Sequence, residues 1–267
     1  MSRFCRALLL VAVGLSTNPP GYALFGAEAL PSWAQELSSR STPSYPPEVH
    51  SVTLLSEEHA TVEPNGKLII RYRHAVKLLS PEGRQSVVAA IPYIKNASKV
   101  KELHAWLIGS DGFVKTYGKD KILDISAAGT YELYDEVRVR LIPAGEPEVG
   151  SIFAWSAEIE ASELVPQVSW FFQDREPALD SRYMLTVPEG WKAEGRVFNH
   201  DAIRPLVEGS TYTWELKNLP YIRTEPGSPT LNSISPWLAV TYFPHRAFAP
   251  PFQAWAVGRL VLNGLRI

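Results

Sequence analysis

From Ser51 to about Phe243 hydrophobic and polar positions alternate with a period of two, the pattern of strands that bury one side. In KLIIRYRHAVKLL, Lys67 to Leu79, one face carries Leu68, Ile70, Tyr72, His74, Val76 and Leu78. The other carries Ile69, Arg71, Arg73, Ala75 and Lys77. Asn65-Gly66 just before this run is hairpin chemistry, because both residues tolerate the positive φ that a tight turn requires. Ser80-Pro81-Glu82-Gly83 reads as a turn after it, and ELHAWLIG and GFVKTYG are joined through Gly109-Ser110-Asp111-Gly112. YDEVRVRLIP sets Val137, Val139 and Leu141 on one face and Arg138 and Arg140 on the other. Phe153, Trp155, Ala157 and Ile159 fall in register in the next run, and VSWFF, SRYMLTVP, STYTWELKNLP and SPWLAVTYFP continue the series. The count comes to roughly ten to thirteen short strands with turn chemistry between them. No long amphipathic helix separates one strand from the next, so a parallel βαβ sheet is disfavoured. The pattern predicts an all-β fold, an antiparallel sandwich that is either one enlarged unit or two stacked ones, spanning residues 51–247.

In Trp170-Phe171-Phe172, alternation puts Trp170 and Phe172 on one side of a strand and Phe171 on the other. Phe171 is then either singly exposed, as lone apolar residues often are, or covered by a neighbouring segment. Only the end of the chain breaks the strand pattern. After Pro250-Pro251, residues 252–265 lack proline and favour a short C-terminal helix, part of a segment spanning 248–267. Its apolar residues lie nearly all round, which suits a free surface helix badly. Phe252, Trp255 and Leu262 are its candidate interaction residues. The helix has two destinations: a partner or absent domain that covers it, or the sandwich itself, where the outer side of Phe171 is one seat.

The start of the chain carries an address. Arg3 and Arg6 precede the apolar run Ala7 to Leu15, and Ala27-Glu28-Ala29 fits a cleavage site, so residues 1–29 are expected to be a secretory signal peptide. The run is shorter than the ~20 residues a spanning helix needs. An uncleaved anchor is the alternative. An exported protein, periplasmic or secreted, is therefore expected, with no spanning helix after cleavage. In residues 30–50, Pro31-Ser32-Trp33 opens one possible helical turn through Leu37, and the segment, rich in Ser and Pro, is expected to be an extended, loosely held linker.

Composition narrows the chemistry. Hydrophobic residues make up 45% and charged residues 20%, as in folded domains and unlike disordered chains. Lys plus Arg is 26 against 28 Asp plus Glu, a net charge of −2, which offers no footprint for nucleic acid. Cys5 is the one cysteine and falls within the expected signal peptide, so neither a disulfide framework nor a thiol nucleophile is expected in the mature chain.

SVTLLSEEHATVEPNGKLIIRYRHAVKLLSPEG, ASKVKELHAWLIGSDGFVKTYGKDKILD, YDEVRVRLIPAGEPEVGSIFAWSAEIE, WFFQDREPALDSRYMLTVPEGWK, TYTWELKNLPYIRTEP and SPWLAVTYF occur in an order and spacing that resemble the DUF3857 domain family, with Pro31 and Trp33 near the mature start. The resemblance covers about Pro31 to Trp255. It implies an immunoglobulin-like β-sandwich with no catalytic residue of its own, placed before a transglutaminase-like core in exported or membrane-associated bacterial proteins. Such a core brings a Cys-His-Asp set, which this chain does not carry.

The remaining motifs are sparse. No G-x-S-x-G elbow, G-x-G-x-x-G or P-loop occurs, so neither a catalytic serine nor a cofactor is expected. The histidines His50, His59, His74, His104, His200 and His245 show no metal-ligand spacing, and Asp111 and Asp124 lack a calcium-loop pattern, so no metal site is expected. Glu158 and Glu160 share one strand face and read as a solvated edge in preference to an acid pair for glycoside chemistry. His200-Asp201 reads as a solvated loop pair, and Asp174-Arg175-Glu176 as a turn with local ion pairing. The leading expectation is a non-catalytic exported module that supports a transglutaminase-like domain or another protein partner. The alternative is a glycan- or peptide-binding module using surface aromatics such as Trp106, Trp191 or Trp237. A hydrolase built on paired carboxylates is a third.

Overall fold

A computed structural model of the protein describes residues 29–127, 136–162 and 167–244. The chain runs α1 (Ser32–Ser38), β1 (Ser51–Val62), β2 (Lys67–Leu78), β3 (Val88–Ile94), β4 (Ser98–Ile108), β5 (Val114–Tyr117), β6 (Leu123–Ser126) and β7 (Val137–Pro143). It continues through β8 (Ile152–Ser162), β9 (Gln167–Phe171), β10 (Ala178–Thr186), β11 (Trp191–Phe198), β12 (Leu206–Glu208), β13 (Thr211–Leu219), α2 (Leu231–Ile234) and β14 (Trp237–Pro244). The expected signal peptide and the helix carrying Phe252, Trp255 and Leu262 lie outside the described residues.

Three sheets build the sandwich. The largest has eight strands in the order β12-β13-β10-β1-β2-β8-β4-β5; the others are β11-β14-β9 and β3-β7-β6. This is the expected all-β, mainly antiparallel architecture in its enlarged form. One pairing departs from the pattern: β10 lies parallel to β1, matching Ser56 with Ser181 and Thr61 with Thr186. The β1–β2 hairpin closes where Asn65-Gly66 predicts it. Gly66 adopts φ +82°, and the Lys67 N–H donates to the Asn65 side chain at 2.9 Å.

Both small sheets cover the same side of the large one, its inner face. Leu68, Ile70, Val76 and Leu78 of β2 and Phe153, Trp155, Ala157 and Ile159 of β8 pack there in one cluster. The same cluster holds Ala89, Ile91 and Ile142 of β3-β7-β6 and Val168, Trp170, Leu238 and Val240 of β9 and β14. Alternation within each strand fixes which residues enter this core, and each large side chain fully buried there contributes roughly 1.5–3 kcal/mol.

The outer face has its own cover at one end. Ala34 of α1 is fully buried against a second cluster containing Val52, Leu54, Ala75, Trp106, Ile108 and Ala154, with Trp33, Leu37 and Tyr45 packed at its margin. Trp33 meets Trp106 edge-on at 6.4 Å. Residues 30–50 are therefore not the loose linker expected from their Ser/Pro content. Their few apolar side chains all find the sheet, Val49 is buried, and Arg40 pairs with Asp180 and donates to the Leu54 carbonyl at 3.3 Å. Arg40 is expected to resist trypsin as long as Arg182 does in limited proteolysis; early cleavage at Arg40 would show the segment to be detached.

Candidate functional site

Beyond the α1 cover, the outer face of the large sheet carries the charged half of each alternating strand. Register sets Arg71 of β2 opposite Glu158 of β8, and its Nε donates to the carboxylate at 2.8 Å. Lys67 and Lys101 each approach Glu160 at 2.8 Å, and their hydrogen bonds lower its carboxyl to about 2. Farther across, Arg182 donates to the buried Glu57 at 2.5 Å, with Arg73 at 3.4 Å on its other oxygen. Glu215 sits between Arg182 at 3.7 Å and Lys217 at 3.1 Å. Charge thus alternates from strand to strand. Glu158 and Glu160 do share a face, as expected, but on an interior strand between β2 and β4 instead of at an edge. Glycoside chemistry needs one carboxyl raised enough to act as an acid at neutral pH, and Glu160 is shifted the opposite way.

A second polar group lies on the inward side of β3-β7-β6. Ala89 and Ile91 of β3 and Ile142 of β7 enter the core, and Tyr93, Arg140 and Arg138 follow on the same side as these strands run outward. Asp124 of β6 accepts from Arg138 Nε at 2.7 Å, Tyr93 Oη at 2.8 Å and Arg140 Nε at 3.1 Å. Partial burial pushes the Asp124 carboxyl up, but these hydrogen bonds outweigh it and hold the group below its ordinary range. Arg140 also donates to the Val100 carbonyl of β4 at 3.0 Å, tying the small sheet to the large one.

Midway across the inner face the register gathers a third group. Ser181, Ser56, His74 and Trp155 form one row across β10, β1, β2 and β8; Tyr183, Glu58 and Tyr72 form the next. Ser, His and Glu are the residue types of a nucleophile, base and orienting acid. The imidazole, however, packs on the Trp155 ring at 5.5 Å, and among the described residues no hydrogen bond joins it to a serine. Loss of hydration lowers its pKa to about 4. His74 was visible in the sequence as the one imidazole inside an apolar alternation. Ser56 follows from the β1–β2 hairpin register, but Ser181 was hidden, because β1 and β10 pair in parallel across a long sequence separation.

The outward side of β11-β14-β9 holds an aromatic ladder. Trp237 lies opposite Phe198 on one side and Phe171 on the other. The Phe198 and Trp237 rings stack at 4.2 Å with an 11° tilt, and Phe171 approaches Trp237 at 6.1 Å. Arg196 lies 5.3 Å from the Phe198 ring centre. The predicted alternation holds, with Trp170 and Phe172 buried and Phe171 half-buried on the other side. Cover for Phe171 comes from the strand beside it. Sugar-binding aromatics offer an open ring face; here the rings and Arg196 cover one another. Trp106 is buried, and Trp191 packs on Tyr242 at 6.2 Å, so the three tryptophans singled out above do not form one surface. Phe171→Ser is expected to cost about 1 kcal/mol in urea denaturation, between a fully buried and a free phenylalanine; an unchanged midpoint would remove the ladder.

The other motifs resolve locally. Asp111 accepts from the Phe113 N–H at 2.9 Å and shapes the β4–β5 turn. His200 Nδ1 meets the main-chain oxygen of Asp201 at 3.1 Å, and Arg175 donates to Thr224. A cleft of about 400 Å³ beside α1 has Lys77 as the one charged residue in its wall, with Ser38, Gln35 and Ile152 around it. Among the described residues, no group of three or more His, Cys, Asp or Glu side chains is placed to hold a metal ion, and no helix is long and apolar enough to cross a membrane.

A family model for DUF3857, a domain of unknown function with a solved structure, matches residues 64–223, more than half of the chain. The chain belongs to the DUF3857 family. No curated protein matches it. Among solved structures, the DUF3857 chain resembles a "putative protease" from Parabacteroides distasonis ATCC 8503, at a TM-score of 0.63 and 16% identity. The match covers 72% of this chain and 40% of that one, so the DUF3857 chain spans less than half the length of that protein. At this identity the likeness concerns the fold alone. Leukotriene A4 hydrolase from Saccharomyces cerevisiae (11% identity, 80% and 33% covered, TM-score 0.37) and an M1 zinc metallopeptidase from Deinococcus radiodurans (10% identity, 72% and 42% covered, TM-score 0.36) are too distant to bear on it.

Proposed function

We propose that this DUF3857 chain is a non-catalytic exported module that supports a transglutaminase-like domain, carried on the same polypeptide or as a separate partner. One observation carries the reading: the conspicuous ionisable clusters are spent on structural pairing. Glu158, Glu160 and Asp124 are each held by arginine or lysine, and the His74 ring is packed on tryptophan. A general acid or base must exchange protons with a substrate, and groups locked in such pairs are poorly placed to do so. Family membership supports the role, as does a fold shared with a protein of much greater length. Export is part of the proposal and rests on residues 1–29.

The test is co-expression with the transglutaminase-like core encoded nearest to this gene. The expected result is co-purification and a higher yield of soluble core when the chain is present. A core that folds equally well alone and does not bind the chain would overturn the support role. Fractionation with N-terminal sequencing tests export, with a mature start at Leu30 expected.

A further inference from the structure

The end of the large sheet beside α1 carries a cation in apolar surroundings. Register sets Val52, Lys77, Ile152, Ile108 and Val114 in one row across β1, β2, β8, β4 and β5. Alternation puts this row on the outer face. The other cations that β2 presents there each meet a carboxylate: Lys67 meets Glu160, Arg71 meets Glu158 and Arg73 meets Glu57. Lys77 is half-buried, and among the described residues no Asp or Glu pairs with it. Asp111 lies on the nearby β4–β5 turn, but it is not part of the cleft wall and its carboxylate accepts from the Phe113 N–H at 2.9 Å.

Lys77, Ile152, Ile108 and Val114 line the cleft of about 400 Å³ beside α1. Ile108 and Ile152 are buried and make its floor. Gln35 and Ser110 are exposed polar residues of its wall, and among the described residues neither side chain is held by a hydrogen bond. A Cβ on Gly150 would lie 3.4 Å from that of Ser110, so the loop before β8 closes against the β4–β5 turn on one side. The volume falls in the range of about 300–1,000 Å³ that small-molecule sites occupy. At ~30 Å³ per water, it has room for about a dozen non-hydrogen atoms.

An apolar floor, a single cation and two neutral hydrogen-bonding side chains match a small amphiphile with one negative charge. A phosphate monoester carries nearly two charges at neutral pH and calls for more than one cation, whereas a carboxylate carries one. A half-buried ammonium without an acid of its own gains most from such a group, because the surrounding apolar side chains weaken screening by water. We propose that the cleft binds a small apolar monocarboxylate, with Lys77 as the counter-ion of its carboxylate and Ile108, Ile152 and Val114 against its hydrocarbon. A fatty acid and the free C-terminus of a peptide ending in an apolar residue share this chemistry. The site does not depend on the support role.

The test is NMR titration of the full chain with isotope-labelled glycine, because Gly109, Gly112 and Gly150 belong to the cleft wall. Octanoate, octanol and N-acetylleucine are added in turn at neutral pH. One of the two acids or both are expected to shift the amide signals of these glycines saturably, with a Kd of about 1 mM for a ligand of this size. Octanol has the same hydrocarbon without the charge and is expected to bind about tenfold more weakly than octanoate. Lys77→Met is expected to remove that preference. The tighter acid names the source, octanoate a lipid and N-acetylleucine a peptide terminus. No saturable shift with either acid, equal binding of octanoate and octanol, or an unchanged preference in a folded Lys77→Met protein would overturn the site and leave Lys77 a lysine that merely reaches water. The first two comparisons use the native chain alone and stand if the variant folds poorly.

Discussion

Trp214→Ala is expected to lower the stability of the protein by about 3–5 kcal/mol, a large share of the 5–15 kcal/mol that holds a typical domain folded. The indole is fully buried on the inner face of β13, with Tyr183 at 6.3 Å and Tyr212 stacked at 6.1 Å. It is also the surface on which the β11-β14-β9 sheet lands. A Cβ on Gly195 of β11 would come within 2.6 Å of the Trp214 ring, so glycine is the residue that lets the two sheets approach. Truncating the indole leaves a cavity between sheets that cannot collapse without moving one of them. Gly195→Ala alone is expected to cost about 1–3 kcal/mol by overpacking. The two changes should couple, since alanine at 195 no longer clashes once the indole is gone. Urea denaturation of both single variants and the double variant measures this. Strictly additive costs would mean that the strands are not in contact there.

The second large effect depends on pH. The His74 pKa is lowered to about 4 in the folded protein, against about 6.5 in the unfolded chain. The folded state therefore prefers the neutral ring, and below pH 6.5 the unfolded chain takes up the proton first. The contribution is fully present above pH 6.5 and is lost as the pH falls toward 4. At 1.36 kcal/mol per pH unit, reduced for a ring that is only half-buried, the loss comes to about 2–3 kcal/mol. His74→Phe keeps a flat ring against Trp155 and removes the titration. Denaturation midpoints at pH 7 and pH 4.5 are expected to separate more for the native protein than for this variant; parallel behaviour would mean that the imidazole is hydrated in the folded state.

The sheets themselves were legible. Alternation in β2 and β8 picks out the residues of those strands that enter the inner core, while Ala75, Ile152 and Ala154 are buried on the other face under α1, which alternation alone does not show. Asn65-Gly66 marks its hairpin for an equally local reason. What stayed hidden depends on partners distant in sequence. The parallel β1–β10 pairing joins two segments whose own patterns are satisfied either way. Residues 30–50 look like a linker by composition, yet Trp33, Tyr45 and Val49 are enough to anchor them once a sheet face is available. Alternation in β7 separates Val137, Val139 and Leu141 from Arg138 and Arg140 but does not say which set faces out. Asp124 and the Val100 carbonyl hold the arginines on the side of Ala89 and Ile91, while Val139 and Leu141 on the other side are themselves buried. The same holds for the acid pair: the sequence places Glu158 and Glu160 on one face, and the cations that neutralise them come from β2 and β4.

Turnover by the purified chain distinguishes a supporting module from an enzyme most directly. Labelled-amine incorporation into a glutamine substrate, peptide hydrolysis and aryl-glycoside hydrolysis are measured against a heat-denatured control. The expected result is no product above that control in any of the three, for the native chain and for Glu158→Gln, Asp124→Asn and His74→Phe alike. Product well above the control that disappears in one of those variants, with its fold intact, would contradict the assignment of these groups to structural pairing and return the chain to the enzymes.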